Sequence, residues 1–461
     1  MDDHSAPSDS VAVRRRNLGL VLRHIAAHGP CARTEIAAAT SLSHATVTTL
    51  ITDLTARGLV REDGVRHGDG RGRPRRLIRL VPGRALVVAV QISLDLLRVA
   101  VADLSGAIVW REATEHHSTP GEPAEMATAV AASIGRAAVA TGSAGTALTT
   151  GMAGATETAG TAGTAGTTDS VDTAGATGTA GTTGAAAKLV RTAVAMAGPV
   201  GADGEQTVLA ATDFGWFRPV RLGALIAERL PDSDCPLDVI NDANAAALAE
   251  YYAHPGRPRA MVYIEAGTGI GGGVVLDGRV HTGSHGIAGE PGHIPVALDG
   301  PACTCGARGC LVCYAGPEAV VTAAGFGATL RQDGLRNALA RLDTALRQGD
   351  ERAEAALRQA GRAVGTAVLS ISGLLDAEEI VLGGLLAHWL PWLEPAVSQV
   401  TAGRRALVPT VRTAVTAARL GEDAILSGAL ELARQAVLDD PAAIPPLPTH
   451  PLRVPAPPTG R

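Results

Sequence analysis

Apolar residues recur at helical spacing from near the start of the chain. Leu18, Val21, Leu22 and Ile25 stand at i, i+3, i+4 and i+7, which predicts a helix over residues 14–28 with one buried face. A short helix is expected over 34–39. The turn Thr40-Ser41-Leu42-Ser43 leads into a third helix that buries Val47, Leu50, Ile51 and Leu54, with Ser43 as its N-cap. Its polar face carries His44, Thr46, Thr48, Thr49 and Thr52, small side chains able to reach base edges and phosphates in a major groove. Gly58 ends this helix and Leu59-Val60-Arg61 opens a strand. The stretch Gly70-Arg71-Gly72-Arg73-Pro74-Arg75-Arg76 fits a wing between two strands, its arginines suited to a narrow minor groove or to phosphates. Residues 14–82 therefore read as a winged helix-turn-helix. Its candidate DNA contacts are Arg33, Ser43, His44, Thr46, Thr48, Thr49, Arg71, Arg73 and Arg75.

Beyond residue 82 the period shortens. Residues 86–92, 96–103 and 107–111 predict three strands, and a helix follows over about 122–140. Of the 47 residues from 141 to 187, 39 are Ala, Gly or Thr. Such a tract has too little side-chain bulk to offset ordering entropy, so a disordered loop insertion is expected. A strand over 189–196 resumes the pattern. Residues 237–241 form a short strand that enters an Ala-rich helix over 243–252, and 261–265 form another strand ahead of a glycine cluster. Strand triplets followed by helices, occurring twice, suggest two α/β lobes with a cleft between them. Eight prolines in 441–461 predict an extended tail. On this pattern residues 1–13 are a disordered N-terminus and 83–440 the two-lobed unit.

Charge sharpens the division. The net charge of −5 over 461 residues hides a split of +6 for residues 1–84 and −11 for the remainder. A basic head on an acidic body suggests a nucleic-acid reader joined to something else. No apolar run reaches ~18 residues free of charge, so no membrane span is indicated. The start, Met1-Asp2-Asp3-His4, is acidic and lacks an apolar core, unlike a signal peptide. Six cysteines in a chain this long do not make a disulfide framework. A cytoplasmic location is the simplest expectation.

Two motifs carry chemistry. The cluster Gly267-Thr268-Gly269-Ile270-Gly271-Gly272-Gly273 is either an anion cradle of backbone N–H groups or a tight hairpin. Glu290-Pro291-Gly292-His293 is followed by Cys303, Cys305 and Cys310, and three thiolates with one imidazole make a closed tetrahedral zinc site. Cys313, three residues further on, offers a competing thiol.

These motifs, with Asn241-Asp242-Ala243-Asn244, Val381-Leu382-Gly383-Gly384 and Gly421-Glu422-Asp423-Ala424, resemble those of the ROK family, named for repressors, open reading frames and kinases. The resemblance runs from about Arg14 to Arg434, apart from the insertion. It implies an α/β fold of two actin-like, ribonuclease-H-like lobes of the ATPase type, behind the winged head that marks the family's regulators. It implies zinc on His293, Cys303, Cys305 and Cys310. It maps sugar contacts to Asn241, Asp242, Glu290 and His293, with Asp242 at the position of the base in the family's sugar kinases. Those kinases hold ATP phosphates with a D-x-G-x-T loop. Here the stretch is Gln91-Ile92-Ser93-Leu94-Asp95, which puts Gln for the metal-facing Asp, Ser for Gly and a carboxylate where phosphates should lie. The family's C-x-E after the last zinc cysteine is Cys310-Leu311-Val312, without the sugar-binding carboxylate.

The expectation is a DNA-binding regulator, a repressor and not an enzyme, that senses a sugar or sugar derivative. Its implied partners are operator DNA, a sugar effector and a second copy of the chain in a homodimer or homotetramer, with no membrane. Two other readings stand beside it: a regulator controlled by a protein partner, and a sugar kinase with an accessory head.

Overall fold

The computed structural model describes residues 10–66, 75–143, 187–230, 235–403 and 413–448. The head comprises helix α1 (Ser10–His28), strand β1 (Cys31–Ala32), helices α2 (Arg33–Thr40) and α3 (His44–Ala56), and strands β2 (Val60–Arg66) and β3 (Arg75–Leu80). The apolar stripe of α1 meets Ile36 of α2 and Val47, Leu50, Ile51 and Leu54 of α3 in one core. The strands form an antiparallel sheet in the order β1-β3-β2. Residues 10–13, expected in a disordered N-terminus, instead form the first turn of α1, since nothing in Ser10-Val11-Ala12-Val13 breaks a helix. The wing tip with Arg71 and Arg73, and residues 144–186 of the low-complexity tract, lie outside the described residues.

Two five-stranded sheets then repeat one plan. The first holds β4 (Ala85–Ile92), β5 (Leu96–Asp103), β6 (Ile108–Glu115), β7 (Lys188–Met196) and β8 (Leu237–Asn241), in the order β6-β5-β4-β7-β8. The second holds β9 (Ala260–Ala266), β10 (Ile270–Leu276), β11 (Arg279–Val280), β12 (Glu379–Gly383) and β13 (Ala414–Ala417), in the order β11-β10-β9-β12-β13. In each, the first three strands pair antiparallel and the last two add on parallel. This duplicated plan is the mixed α/β, two-lobed, actin-like fold expected from the sequence. β4 is buried along its whole length, as a central strand covered on both faces must be.

Helices α4 (Pro123–Ala140) and α5 (Leu222–Ala227) cover one face of the first sheet. Helix α6 (Asp242–Ala253) leaves the end of β8. The second lobe adds α7 (Val312–Ala315), α8 (Pro317–Val321), α9 (Gly327–Arg347), α10 (Glu351–Leu375) and α11 (Gly384–Thr401), around a core that includes the fully buried Trp389. The last helix, α12 (Ala424–Asp439), packs on α6, β4 and β7 and then reaches the head. Arg23 pairs with Asp439, and Arg15 Nε donates to Asp440 at 3.0 Å. The expected extended tail begins otherwise. Residues 441–443 form a helical turn, Arg57 donates to the carbonyls of Ala442 (2.9 Å) and Ile444, and Leu447 N–H donates to Ala56 at 2.8 Å. Buried Ile444 explains this, since its apolar side chain joins the core that the head shares with α12.

The α6–α12 contact is a backbone-to-backbone approach. A Cβ at Gly428 would stand 1.7 Å from the carbonyl oxygen of Ala245. Gly428→Ala is therefore expected to destabilise the protein by about 1–3 kcal/mol, the range for overpacking a filled interior. Calorimetry would read this as a lower Tm, and an unchanged Tm would show that the two helices part freely.

Candidate functional site

The first turn of α6 follows directly on the end of β8. Asn241 caps the helix: its Oδ1 accepts from Asn244 N–H at 3.0 Å, and its Nδ2 donates to the Gly198 carbonyl at 3.0 Å. The amide expected to touch a sugar is thus engaged within the protein. Asp242 follows, its Oδ1 accepting from its neighbour Ala243 N–H at 2.8 Å. Burial raises the pKa of Asp242, and the charge of Asp213 adds to the rise, while the Ala243 N–H opposes it. Glu290 opens the turn Pro291–His293 and is also pushed up by burial, against the lowering effect of His293. His293 and Asp242 both act electrostatically on Glu290, with opposite signs.

The glycine cluster resolves into two parts. Gly267-Thr268-Gly269 is a hairpin tip between β9 and β10, and Gly271, Gly272 and Gly273 are ladder residues of β10. It is a hairpin, and the backbone of its second half is committed to strand pairing. A residue that sequence reasoning missed stands just before it. Glu265, next to last in β9, accepts from the Tyr263 hydroxyl at 2.8 Å, and is pushed up to about 7, chiefly by burial and then by the charge of Asp242. The signal was available: an acidic residue in the otherwise apolar strand Met-Val-Tyr-Ile-Glu-Ala is an exception that asks for a reason.

The β4–β5 turn is closed on itself. Ser93 N–H donates to the Leu96 carbonyl at 2.9 Å, the His116 ring takes up the Ser93 carbonyl at 2.9 Å, and Leu94 projects 54% exposed. Arg98 lies beside Gln91 and extends to the Glu422 carbonyl (2.7 Å) and the Asp423 carboxylate (2.5 Å).

The cysteine box folds back as its spacing requires. Cys303 N–H donates to the Ala307 carbonyl at 2.9 Å, and Leu311 N–H to that of Ile294 at 2.9 Å. Gly309, at φ +69°, passes so close to Ala297 that a Cβ would stand 1.8 Å from its carbonyl oxygen. The donor atoms of His293, Cys303, Cys305 and Cys310 lie within 4.8 Å of one another. Cys303 Sγ is 3.6 Å from His293 Nδ1, and Cys305 Sγ is 3.7 Å from Cys310 Sγ. Edges of a tetrahedron built on zinc–sulfur bonds of about 2.3 Å are near 3.8 Å, so the four groups fit such an ion. Cys313 stands outside the four, directed at the Ala302 carbonyl.

In the head, Ser43 Oγ accepts from Thr46 N–H at 3.1 Å, the expected cap. His44, Thr48 and Thr49 are exposed, and Thr46 is half-buried. Thr48 and Thr49 hydroxyls donate back to the carbonyls of His44 and Ala45 at 2.9 and 3.1 Å, leaving their lone pairs and methyls outward. Arg33 instead pairs with Glu62 at 2.6 Å, a carboxylate it shares with Arg76 and which both hold below its usual pKa. Arg75, the first residue of β3, is exposed.

A family model described as ROK family matches residues 175–436, more than half of the chain. The chain belongs to the ROK family. A second model, described as MarR family, matches residues 19–71, so the head is a winged helix-turn-helix of that type. The chain is 36% identical over 199 residues to an N-acetylmannosamine kinase of Salmonella arizonae, covering 43% of this chain and 65% of that one. It thus spans just under two thirds of that relative. To the N-acetylmannosamine kinase of Salmonella typhi it is 32% identical over 251 residues, 52% of this chain and 83% of that one. Among solved structures, a ROK family transcriptional regulator described as a homolog of the E. coli MLC protein superposes with a TM-score of 0.71, over 94% of this chain and 99% of that one. At 22% identity this likeness speaks to the fold alone. A ROK family glucokinase from Streptomyces griseus, in complex with glucose and AMPPNP, superposes at 0.52 with 26% identity, over 76% of this chain and 99% of that one.

Within this ROK protein, Ser43 has a structural role that can be separated from DNA contact. Ser43→Ala is expected to cost about 1 kcal/mol of head stability through loss of the cap. Ser43→Asp should restore that stability while placing a negative charge toward the phosphates. Thermal unfolding and operator titration of the two variants check this pair of outcomes.

Proposed function

We propose that the protein is a transcriptional repressor that binds operator DNA through α3 and the wing, and releases it when a sugar or sugar derivative occupies the cleft. The observation that carries this reading is the β4–β5 turn, a self-closed hairpin with Asp95 where a ROK kinase holds phosphates, on a chain that also bears an exposed Thr-rich helix. Ser43, His44, Thr46, Thr48 and Thr49 supply the groove contacts, joined by Arg75 and the wing arginines Arg71 and Arg73. Asp242, Glu290 and His293 bind the effector, with Asn241 holding the helix start that presents Asp242. The working form is a dimer or tetramer in the cytoplasm, matching two-fold DNA sites. Among the described residues no helix is long and apolar enough to cross a membrane.

A zinc ion on His293, Cys303, Cys305 and Cys310 belongs to this reading. A closed four-ligand shell is structural, leaves no open position for catalysis, and fixes the His293 ring so that Nε2 can face the ligand. Cys305→Ser should lower bound zinc from about one equivalent toward zero, measured by metal analysis of the purified protein. An undiminished zinc content would remove Cys305 from the shell.

A second reading, a sugar kinase, is favoured by the similarity to N-acetylmannosamine kinases, and the family resemblance puts Asp242 at the position of their base. Incubation with ATP, magnesium and a hexose panel separates the two. The repressor reading expects no turnover, together with sequence-specific binding to the protein's own upstream DNA that a sugar weakens. Turnover would overturn it. If instead no small molecule changes operator affinity, control by a protein partner, consistent with Val312 in place of the family's carboxylate, replaces the sensing half. Arg75→Ala should weaken operator binding uniformly across sequences and lower the salt slope by about one. An unchanged slope would take Arg75 off the phosphate contacts.

A further inference from the structure

Helix α3 exposes His44, Thr48 and Thr49 near its start, and its hydrogen bonds to the body are made at its other end. Arg57, the C-cap, donates from Nε to Asp53 Oδ1 at 2.8 Å, and from Nη1 to the carbonyls of Ala442 (2.9 Å) and Ile444. Asp53 is steadied in turn by Arg14 of α1, whose Nη2 donates to its other oxygen at 2.8 Å. The segment 441–447 returns a bond, since Leu447 N–H donates to the Ala56 carbonyl at 2.8 Å. The last carbonyls of a helix lack partners within it, so this segment closes the end of the recognition helix from outside.

Ile444, 3% exposed, seats the segment in the apolar cluster that head and α12 share. Around that anchor the packing is thin. A space of about 880 Å³ separates Ala443, Ile444 and Pro445 from the first lobe at Val190, Ala224 and Leu237. Another of about 370 Å³ lies between Ala442, Ala443 and the arginines of α1. With room on both sides, packing sets where the segment is anchored, and hydrogen bonds set its angle to α3. Arg57 suits that task, because its guanidinium is a planar fork with donors in fixed directions. Its side chain is only 14% exposed and is turned into the protein. A lysine, a point donor on a flexible stem, does not serve Asp53 and two carbonyls in that geometry at once.

Resting on the DNA-reading half of the proposed function, we propose that Arg57 is a positioning residue for operator recognition, the clamp by which residues 441–447 and α12 set the angle of α3 in the groove. Arg57 touches no DNA in this role. Contacts to base edges depend on how the helix lies, whereas phosphate contacts are electrostatic and blind to sequence. The clamp therefore governs discrimination between sequences and leaves general attraction to DNA unchanged.

Fluorescence anisotropy of the full-length protein tests this over a range of salt, with its own upstream DNA and a random duplex of equal length as probes. Arg57→Ala should weaken operator binding about tenfold, the cost of roughly one lost base contact, while random-duplex affinity and the salt slope stay as in the wild type. Arg57→Lys keeps the charge and loses the fork, and should fall as far. Ile444→Ala loosens the anchor, and together with Arg57→Ala should cost no more than the worse single change, since both act through one clamp. If Ile444→Ala does not fold, the two Arg57 variants decide alone. Full affinity in Arg57→Lys, or a salt slope lowered by about one in Arg57→Ala, would overturn the inference by making Arg57 a charge on DNA. Unchanged operator affinity in Arg57→Ala, additive losses in the double variant, or an equal fall in random-duplex binding would overturn it too, and each leaves the repressor reading standing. A wild type that does not prefer its own upstream DNA would bring down both.

Discussion

The meeting of α6 and α12 is the constraint on which the rest of the molecule depends. Gly428 lets α12 press against the carbonyl of Ala245, so neither helix can shift along the other without a steric penalty. The first turn of α6 presents Asp242 to the cleft, and the far end of α12 is held by Arg15 and Arg23 of the head. The start of α12 is held too, since Arg98 of β5 grips the Glu422 carbonyl and Asp423. One apolar cluster continues from Leu18 and Leu54 of the head through Leu430 and Val437 of α12 to Val87 of β4. Cleft and head thus sit at two ends of one packed element. A ligand that prefers one arrangement of the lobes would bias the head only through its differential affinity for the two, and α12 is the rigid part that both would share.

The charges at this junction do a different job from the packing. Asp439 and Asp440 end α12, where the helix dipole makes acidic groups unfavourable. Arg23 and Arg279 on Asp439, and Arg15 on Asp440, offset that penalty. Such half-exposed pairs are individually worth no more than about 1 kcal/mol. They orient the head, and the shared apolar core holds it. The acidic body and the basic head, which looked like two unrelated halves in the charge count, are complementary at their seam.

Much of this was legible in the sequence, and the parts that were not have physical reasons. The head was readable because α1 and α3 are amphipathic with a period of 3.6, and Ser43 is a cap by chemistry as well as by position. β6 was read only to residue 111 because its remainder, Glu-Ala-Thr-Glu, is a half-exposed edge strand with few apolar residues. The proline-rich end was read as extended because proline content says nothing of Ile444 and Leu447, which pack onto the body and the head. Motif matching named Asp242, Glu290 and His293 as ligand contacts, a role that belongs to the proposed function. It named Asn241 with them, and the structure adds that Asn241 caps α6, since a motif records residue types and not hydrogen-bond partners. Glu265 fell between motifs, and only the structure shows it buried beside the Tyr263 hydroxyl that donates to it.

Two departures from a kinase site point the same way once their signs are compared. A kinase of this fold must accept a polyanion beside its catalytic aspartate. Here Asp95 stands in the turn where those phosphates would lie, and Gln91 replaces the metal-facing aspartate. Two like charges at about 4 Å oppose each other by roughly 1 kcal/mol in water and about 4 kcal/mol at an effective dielectric of 20. The carboxylate of Asp95 therefore acts against a phosphoryl donor, and the loss of the metal-facing carboxylate at Gln91 removes the means of holding a cation that would offset it. A turn that repels the donor suits the recognition proposed for this protein better than phosphoryl transfer, and the seam at α12 would give such recognition a route to the DNA-reading head.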